Sequence, residues 1–451
     1  MSVTVASDYK SASTPERLSS LVEEVLAEAK RLGASAAEAS ISVSQGLSVN
    51  VRLGEVETVE HTRDKGMGLT VYFGHKSGSA STSDLSLTAL HDTVRAAASI
   101  ARYTAADEFS GLPDRETLAT TLPDLDLYHP WNPSMETAIT MARTCEQAAR
   151  DADARIQNSE GASLSSHEGL EVYGNSLEFI GAVTSTRHSL SCAVIGQDAS
   201  GMQRDYWYTT ARAAADLEAA EAVGLQAARR TVRRLGARKL KTRQTPVLFE
   251  APVASSLLSH FISAIRGGNL YRQASFLLDH LGKPVFAPQV RIYERPHLKK
   301  GLGSAAFDNE GVATQDRDLV QNGILLGYVL DTYSARKLGM HTTGNAGGVH
   351  NLSIELGPRD LPALLKNMHT GLLVTELIGF GINNVTGDYS RGAAGFWVEN
   401  GEIQYPVEEI TIAGNLKEMF QHISDIGNDV DRRGSTRTGS ILIDNMTVAG
   451  G

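Results

Sequence analysis

The sequence predicts an α+β protein, with N-terminal helices on antiparallel sheet and a C-terminal β-rich domain carrying short helices. Three observations carry this. Apolar residues recur at helical spacing between Leu18 and Leu32. Residues 38–82 then alternate apolar and polar across short Gly-containing turns. Beyond Pro246, strand-like runs and Asn-Gly hairpin turns dominate.

The elements follow in order. Ser13, Pro15 and Glu16 mark the first helix as a cap, a first-turn proline and a capping-box acid. Leu18, Val22, Val25 and Ala29 give it one apolar face, and Gly33 stops it. That face needs a sheet to cover. Val49, Val51 and Leu53, then Leu69, Val71 and Phe73, supply a meander, with turns expected at Leu53-Gly54-Glu55, Lys65-Gly66 and Gly74-His75-Lys76. A second helix near Leu85–Arg102 presents Leu87, Leu90, Val94 and Ala98. A linker rich in Asp, Leu and Pro spans 104–134, and Ser134 caps a helix running toward Ile156. Strands are expected at Gly169–Phe179 and His188–Gly196, and the Ala-rich segments 209–222 and 223–235 read as helical.

Residues 229–243 hold eight basic side chains, with no acid between Glu221 and Glu250. This basic linker separates an N-terminal α+β domain, 1–243, from a β-rich domain, 244–451. It reads either as an anion or nucleic-acid patch or as a helix C-terminus complementing its dipole and running into a solvated linker. The formal charge of -10 argues against nucleic-acid and anionic-membrane partners, because both need a basic surface. In the second domain Asn322-Gly323 and Asn400-Gly401 mark hairpins. Short helices are expected over Ala254–Arg266, Asp331–Leu338, Asp360–Met368 and Asn415–Ile423.

With 451 residues, 41% hydrophobic and 21% charged, the chain can bury a large core. Its two cysteines exclude a disulfide scaffold and a Cys-rich metal site, and Cys145 and Cys192 read as buried structural thiols. The first residues hold no apolar signal region, and the longest apolar run, Val253–Ile265, is too short to span a bilayer. A cytoplasmic location is the expectation.

The thirteen histidines form no HExxH or HExxxH motif. His341 and His350 flank a Gly-rich turn, where a shared metal and ordinary loop histidines both stay open. There is no G-x-S-x-G elbow, and Gly301-Leu302-Gly303 runs into a turn rather than a helix. The segment Gly379–Glu402 stands out, with glycines set among polar and aromatic residues. It reads either as a groove where a peptide adds as a strand or as a Gly-rich connection in an irregular sheet. Within it Asn384, Gly387, Asp388, Tyr389, Ser390 and Arg391 are the candidate substrate- or partner-binding residues. Charged groups in a Gly-rich turn gain little as packing, and loops on a rigid sheet commonly carry binding groups. No catalytic residue and no metal ligand is assigned.

Four stretches, Asn383–Gly395, Phe396–Val407, Glu409–Leu416 and Ile443–Gly451, resemble the TldD/TldE family, also called the PmbA or modulator-of-gyrase family. The resemblance covers essentially the whole chain. In that family TldD-type subunits carry an HExxxH helix and a later Cys that together hold a metal, and they form peptidases acting on unfolded or extended peptides. The corresponding helix here is Ala254–Arg266. Ser259 and Ala264 stand at its two His positions and His260 at its Glu position, and Gly427–Gly439 contains no Cys. The resemblance therefore implies the metal-free TldE type. It implies no cofactor in this chain, zinc in a TldD-like partner, and a pseudo-twofold heterodimer that matures microcin-type peptides and degrades a small antitoxin. A homodimer of the isolated chain stays open. Two other expectations stand beside it. The chain could itself be a metallopeptidase with ligands among His341, His350 and His369, or a regulatory protein linked to DNA gyrase through Arg229–Arg243.

Overall fold

The computed structural model describes residues 14–450 and has the mixed α+β class expected. The Ser13 cap lies outside the described residues. Thr14 caps α1 (Pro15–Arg31), its side chain accepting from the Arg17 N–H at 3.3 Å, and Gly33, at φ 84°, turns the chain out. Strands β1 (Ala36–Arg52), β2 (Glu55–Phe73) and β3 (Lys76–Thr82) form the meander, and α2 (Leu87–Tyr103) follows. After the 104–134 connection come α3 (Met135–Asp151), β4 (Ile156–Asn175), β5 (Phe179–Asp198), β6 (Gly201–Ala211) and α4 (Ala220–Val232). All six strands join one antiparallel sheet in the order β3-β2-β1-β4-β5-β6.

Strand periodicity explains how one sheet takes two helix pairs. Ala39, Ile41 and Val43 of β1 pack against Leu18, Val22 and Val25 of α1 and Val94 of α2. Further along the same strand, Val49 and Val51 pack with α3 and α4. At the α3–α4 contact a Cβ on Gly224 would stand 2.0 Å from the Cys145 carbonyl oxygen, so only Gly allows that approach. Cys145 and Cys192 are free and buried there, and a hydrogen bond to Cys192 together with burial pushes the Cys145 thiol up, as inert structural thiols require.

The strand expected at Gly169–Phe179 is split by the turn 176–178 between β4 and β5, and two further local expectations fail. Lys65-Gly66 is not a turn: β2 runs through it, with Gly66 opposite Ser42 of β1. Residues 209–211 finish β6 opposite His188–Ser189–Leu190 of β5, and regular helix begins only at Ala220. In both places pairing with a long continuous neighbour overrides local composition.

The C-terminal half begins with β7 (Arg243–Phe249), which leads directly into α5 (Ala251–Ile265) and a short α6 (Gly267–Tyr271). Then come β8 (Ile292–Glu294), β9 (Arg317–Gln321), β10 (Ile324–Leu325), α7 (Thr332–Lys337), β11 (Leu352–Ile354), α8 (Leu361–Met368) and β12 (Gly371–Ile378). The chain closes with β13 (Asp388–Glu399), β14 (Glu402–Asn415), α9 (Leu416–Gln421), β15 (Ile423–Ile426), β16 (Thr436–Arg437) and β17 (Ile441–Ala449). One sheet runs β14-β13-β12-β7-β17-β15, and a further pairing of β14 with β17 closes five of its strands into a ring. A smaller sheet runs β10-β9-β8-β11-β16. Both Asn-Gly hairpins form, with φ of 52° and 75° at Asn322 and Gly323 and 53° and 75° at Asn400 and Gly401. Along β7, Val247 and Phe249 face α5 while Leu248 faces α8, so the strand is buried on both sides.

The basic segment divides: Arg229 and Arg230 stand in the last turn of α4 and Arg238, Lys239, Lys241 and Arg243 are exposed, as a helix C-terminus running into a solvated linker requires, but three of its arginines turn inward. Arg230 is buried and pairs with Glu250 at 3.0 Å and Asp205 at 3.4 Å. Arg233 reaches Glu250 at 3.2 Å, and Arg234 reaches Glu376 at 2.5 Å. Further guanidinium groups stack on rings of the C-terminal half, Arg238 on Tyr405 and Arg243 on Trp397. Glu250 immediately precedes α5, so this network ties the start of that helix to α4 and β6.

Candidate functional site

Helix α5 is the element that the family resemblance marks for function. Its first turn is held from outside: the Ala251 N–H donates to Ser440 Oγ at 3.0 Å. Leu257, Leu258, Phe261 and Ala264 bury one face. Ser259 is exposed, and its hydroxyl folds back onto the Ser255 carbonyl at 3.1 Å. His260 lies at the margin of the buried face, and its ring meets that of Tyr389 edge-on, with centroids 6.0 Å apart.

Tyr389 comes from the Gly-rich segment, which divides into a loop and a strand. Residues 379–387 form the loop, and β13 begins at Asp388, so Asp388, Tyr389, Ser390 and Arg391, expected in a Gly-rich loop, lie in strand. The loop is pinned. The Ser390 N–H donates to the Gly381 carbonyl at 2.7 Å, where a Cβ on Gly381 would stand 1.6 Å from the Ser390 carbonyl oxygen. Asn384 Nδ2 donates to the Ala274 carbonyl at 2.6 Å, and Gly387 turns the chain into β13 at φ 83°. β13 is paired with β12 on one side and β14 on the other, so a peptide cannot add to it as a strand. The segment is a Gly-rich connection running into a strand paired on both sides.

Strand alternation then separates the candidate residues. Asp388 and Ser390 point to solvent, whereas Tyr389 and Arg391 turn toward α5. Asp388 accepts from Thr386 Oγ1 at 2.6 Å and Asn415 Nδ2 at 3.2 Å, bonds that hold its carboxyl below the usual range. No Asp388–Arg391 pair forms. Asn384 and Gly387 act as anchors of the turn. Tyr389 and Arg391 meet His260, a residue that the sequence marks only through the resemblance.

This meeting leaves three buried polar atoms without partners: His260 Nε2, Tyr389 Oη and Arg391 Nε. Tyr389 is 1% exposed. Burial, reinforced by the Arg391 charge, lowers the His260 imidazole to about 4, and burial raises the Tyr389 phenol. Arg391 is half-buried and has no carboxylate partner among the described residues. Its guanidinium lies 6.0 Å from the ring centroid of the fully exposed Phe380. On the other side β16 packs near α5, and Arg437 Nε there is also buried and unpartnered.

The side chains around α5 do not suit a divalent metal. One neutral imidazole stands there beside an arginine without an acid partner, while zinc in a hydrolase needs about three protein ligands and an open water position. Among the described residues no three His, Cys, Asp or Glu side chains group closely enough to hold a metal. His350 turns Nε2 to the Gly344 carbonyl at 3.2 Å, and His341 is exposed. Among the same residues no helix is long and apolar enough to cross a membrane.

Comparison with known proteins places this geometry. The PmbA/TldA metallopeptidase domain 1 matches residues 37–101, the central domain 128–235 and the C-terminal domain 242–450. The chain belongs to this PmbA/TldD metallopeptidase family. It is 50% identical over 433 residues to the metalloprotease PmbA of Escherichia coli O157:H7, covering 95% of this chain and 96% of that one. A metalloprotease PmbA homolog of Haemophilus influenzae is 50% identical over 423 residues, covering 94% of each. Among solved structures, a chain from Bacteroides thetaiotaomicron described as a modulator of DNA gyrase aligns with a TM-score of 0.91 at 30% identity, covering 97% of this chain and 100% of that one. TldE from Thermococcus kodakarensis shares the fold, with a TM-score of 0.82 at 20% identity over 95% of this chain and 100% of that one.

Proposed function

We propose that this chain is the metal-free half of a two-chain, cytoplasmic metallopeptidase. Its TldD-like partner carries zinc on an HExxxH helix, and this chain shapes the cleft that holds an unfolded or extended peptide. The observation that carries the reading is α5 itself. Where the family's metal-bearing type has two histidines and a glutamate, this chain has Ser259, Ala264 and His260, and the imidazole faces Tyr389 and Arg391. Hydrolysis then depends on the partner's metal, and this chain contributes binding and enclosure. Peptide antibiotics of the microcin type and a small antitoxin are the substrate classes, and the two homologous folds meet about a pseudo-twofold axis.

Mixing the two purified chains tests this. Each alone should leave an unstructured peptide intact, and the mixture should cleave it. Cleavage by the partner that is undiminished when this chain is omitted would contradict the proposal.

A further inference from the structure

We infer that Arg391, Tyr389 and His260 form a receptor for a carboxylate on an extended peptide. The inference rests on the peptidase-complex reading and names what the cleft recognises. Buried donors without acceptors are rare in folded proteins, because each costs its desolvation without a compensating bond. Of the eight such side-chain atoms among the described residues, three belong to neighbouring residues on two elements, the His260 and Tyr389 rings in edge contact and the Arg391 charge acting on both. Two of them, the Tyr389 hydroxyl and the Arg391 Nε–H, are donors.

Charge gives the ligand its sign. The Arg391 guanidinium lacks an acid partner among the described residues, and Asp388, the nearest acid in sequence, is turned to the opposite side and bonded to Thr386 and Asn415. The imidazole beside it is neutral. The cluster therefore carries one uncompensated positive charge in a partly desolvated setting. A carboxylate matches it, since its oxygens accept from a guanidinium and a phenol together. A ledge adjoins the charge. Phe380 and Ile378 are exposed apolar side chains on the strand end and loop beside Arg391. They offer an apolar seat for the residue bearing the carboxylate. Because β13 has no free edge, recognition here runs through side chains rather than through strand addition.

The test is calorimetry on the full-length chain with three short unstructured peptides: one with a free C-terminal carboxylate and no internal acid, the same peptide amidated, and an amidated peptide with one internal Glu. The free acid should bind and the plain amide should bind at least about tenfold more weakly, as loss of a charge-assisted bond implies. If the internal-Glu peptide binds as well as the free acid, the receptor takes side-chain carboxylates too; if it behaves as the plain amide, the receptor reads the chain terminus. Arg391→Gln should weaken free-acid binding about tenfold or more, and Tyr389→Phe by several-fold. Bound carboxylate should also move the His260 titration, followed by NMR, toward higher pH. Equal binding of acid and amide, or unchanged binding in both variants, overturns the inference. It does so without touching the two-chain proposal, which stands or falls on reconstituted cleavage.

Discussion

The two polar clusters at the ends of α5 both contain arginine and are handled in different ways. At its start, Arg230, Arg233 and Arg234 meet Asp205, Glu250 and Glu376, and each charge has an acid partner, although Arg233 Nε is left unbonded. Toward its end, Arg391, Tyr389 and His260 meet one another, and their buried polar atoms are left open. The first cluster connects the N-terminal sheet to the C-terminal half. The second faces a ledge of exposed apolar side chains. Paired burial offsets the desolvation of its charges, whereas unpaired burial carries that cost without a compensating bond.

The largest effect should come from breaking the paired cluster. Glu250→Ala strips Arg230 of its closest acid partner inside the protein, and urea denaturation should show a loss of about 3–5 kcal/mol. A loss below about 1 kcal/mol would mean that water reaches this network and that the contrast is weaker than drawn. Tyr389→Phe should do the reverse. It removes a hydroxyl that bonds to nothing, so stability should hold or rise by up to about 1 kcal/mol. A clear destabilisation would reveal a partner for that hydroxyl.

The pH dependence sharpens the contrast further. His260 is lowered from 6.5 to about 4 in the fold, so the unfolded chain takes up its proton first. Its contribution is complete above pH 6.5 and is lost as pH falls toward 4. Glu310, raised by burial from 4.5 to about 7, has the opposite sign. Its contribution is complete below pH 4.5 and is lost as pH rises through 7. Denaturation between pH 4 and pH 8 should therefore show His260→Gln flattening the acid side and Glu310→Gln flattening the neutral side. The smallest effect is expected from replacing Asp388 and Arg391 together by Ala. The melting temperature should stay nearly unchanged while cleavage by the two-chain complex falls; a large loss of stability with normal activity would make the segment structural.

What could be read in the sequence follows the range of the interactions. Helix caps and Asn-Gly hairpins are local, and Ser134, Asp360, Asn322 and Asn400 all stand where their spacing places them. The ring closure by β14 and β17 pairs Thr411 with Ala449, and no local pattern announces that. The inward turn of Arg230, Arg233 and Arg234 is not legible in the basic segment because their acids, Asp205, Glu250 and Glu376, lie outside it in sequence. The candidate site was half visible. Asp388 and Arg391 stood out as charges near glycines, but the period of two that begins after Gly387 sends them to opposite sides. The partnership of Tyr389 and Arg391 with His260 joins residues more than a hundred positions apart, and only the folded chain brings it about.

Zinc content, measured on the separated subunits of the active complex, bears most directly on the central claim. The account predicts stoichiometric zinc on the TldD-like partner and none on this chain, with His260→Gln leaving the zinc content of the complex unchanged. Stoichiometric zinc bound by this chain alone would contradict it.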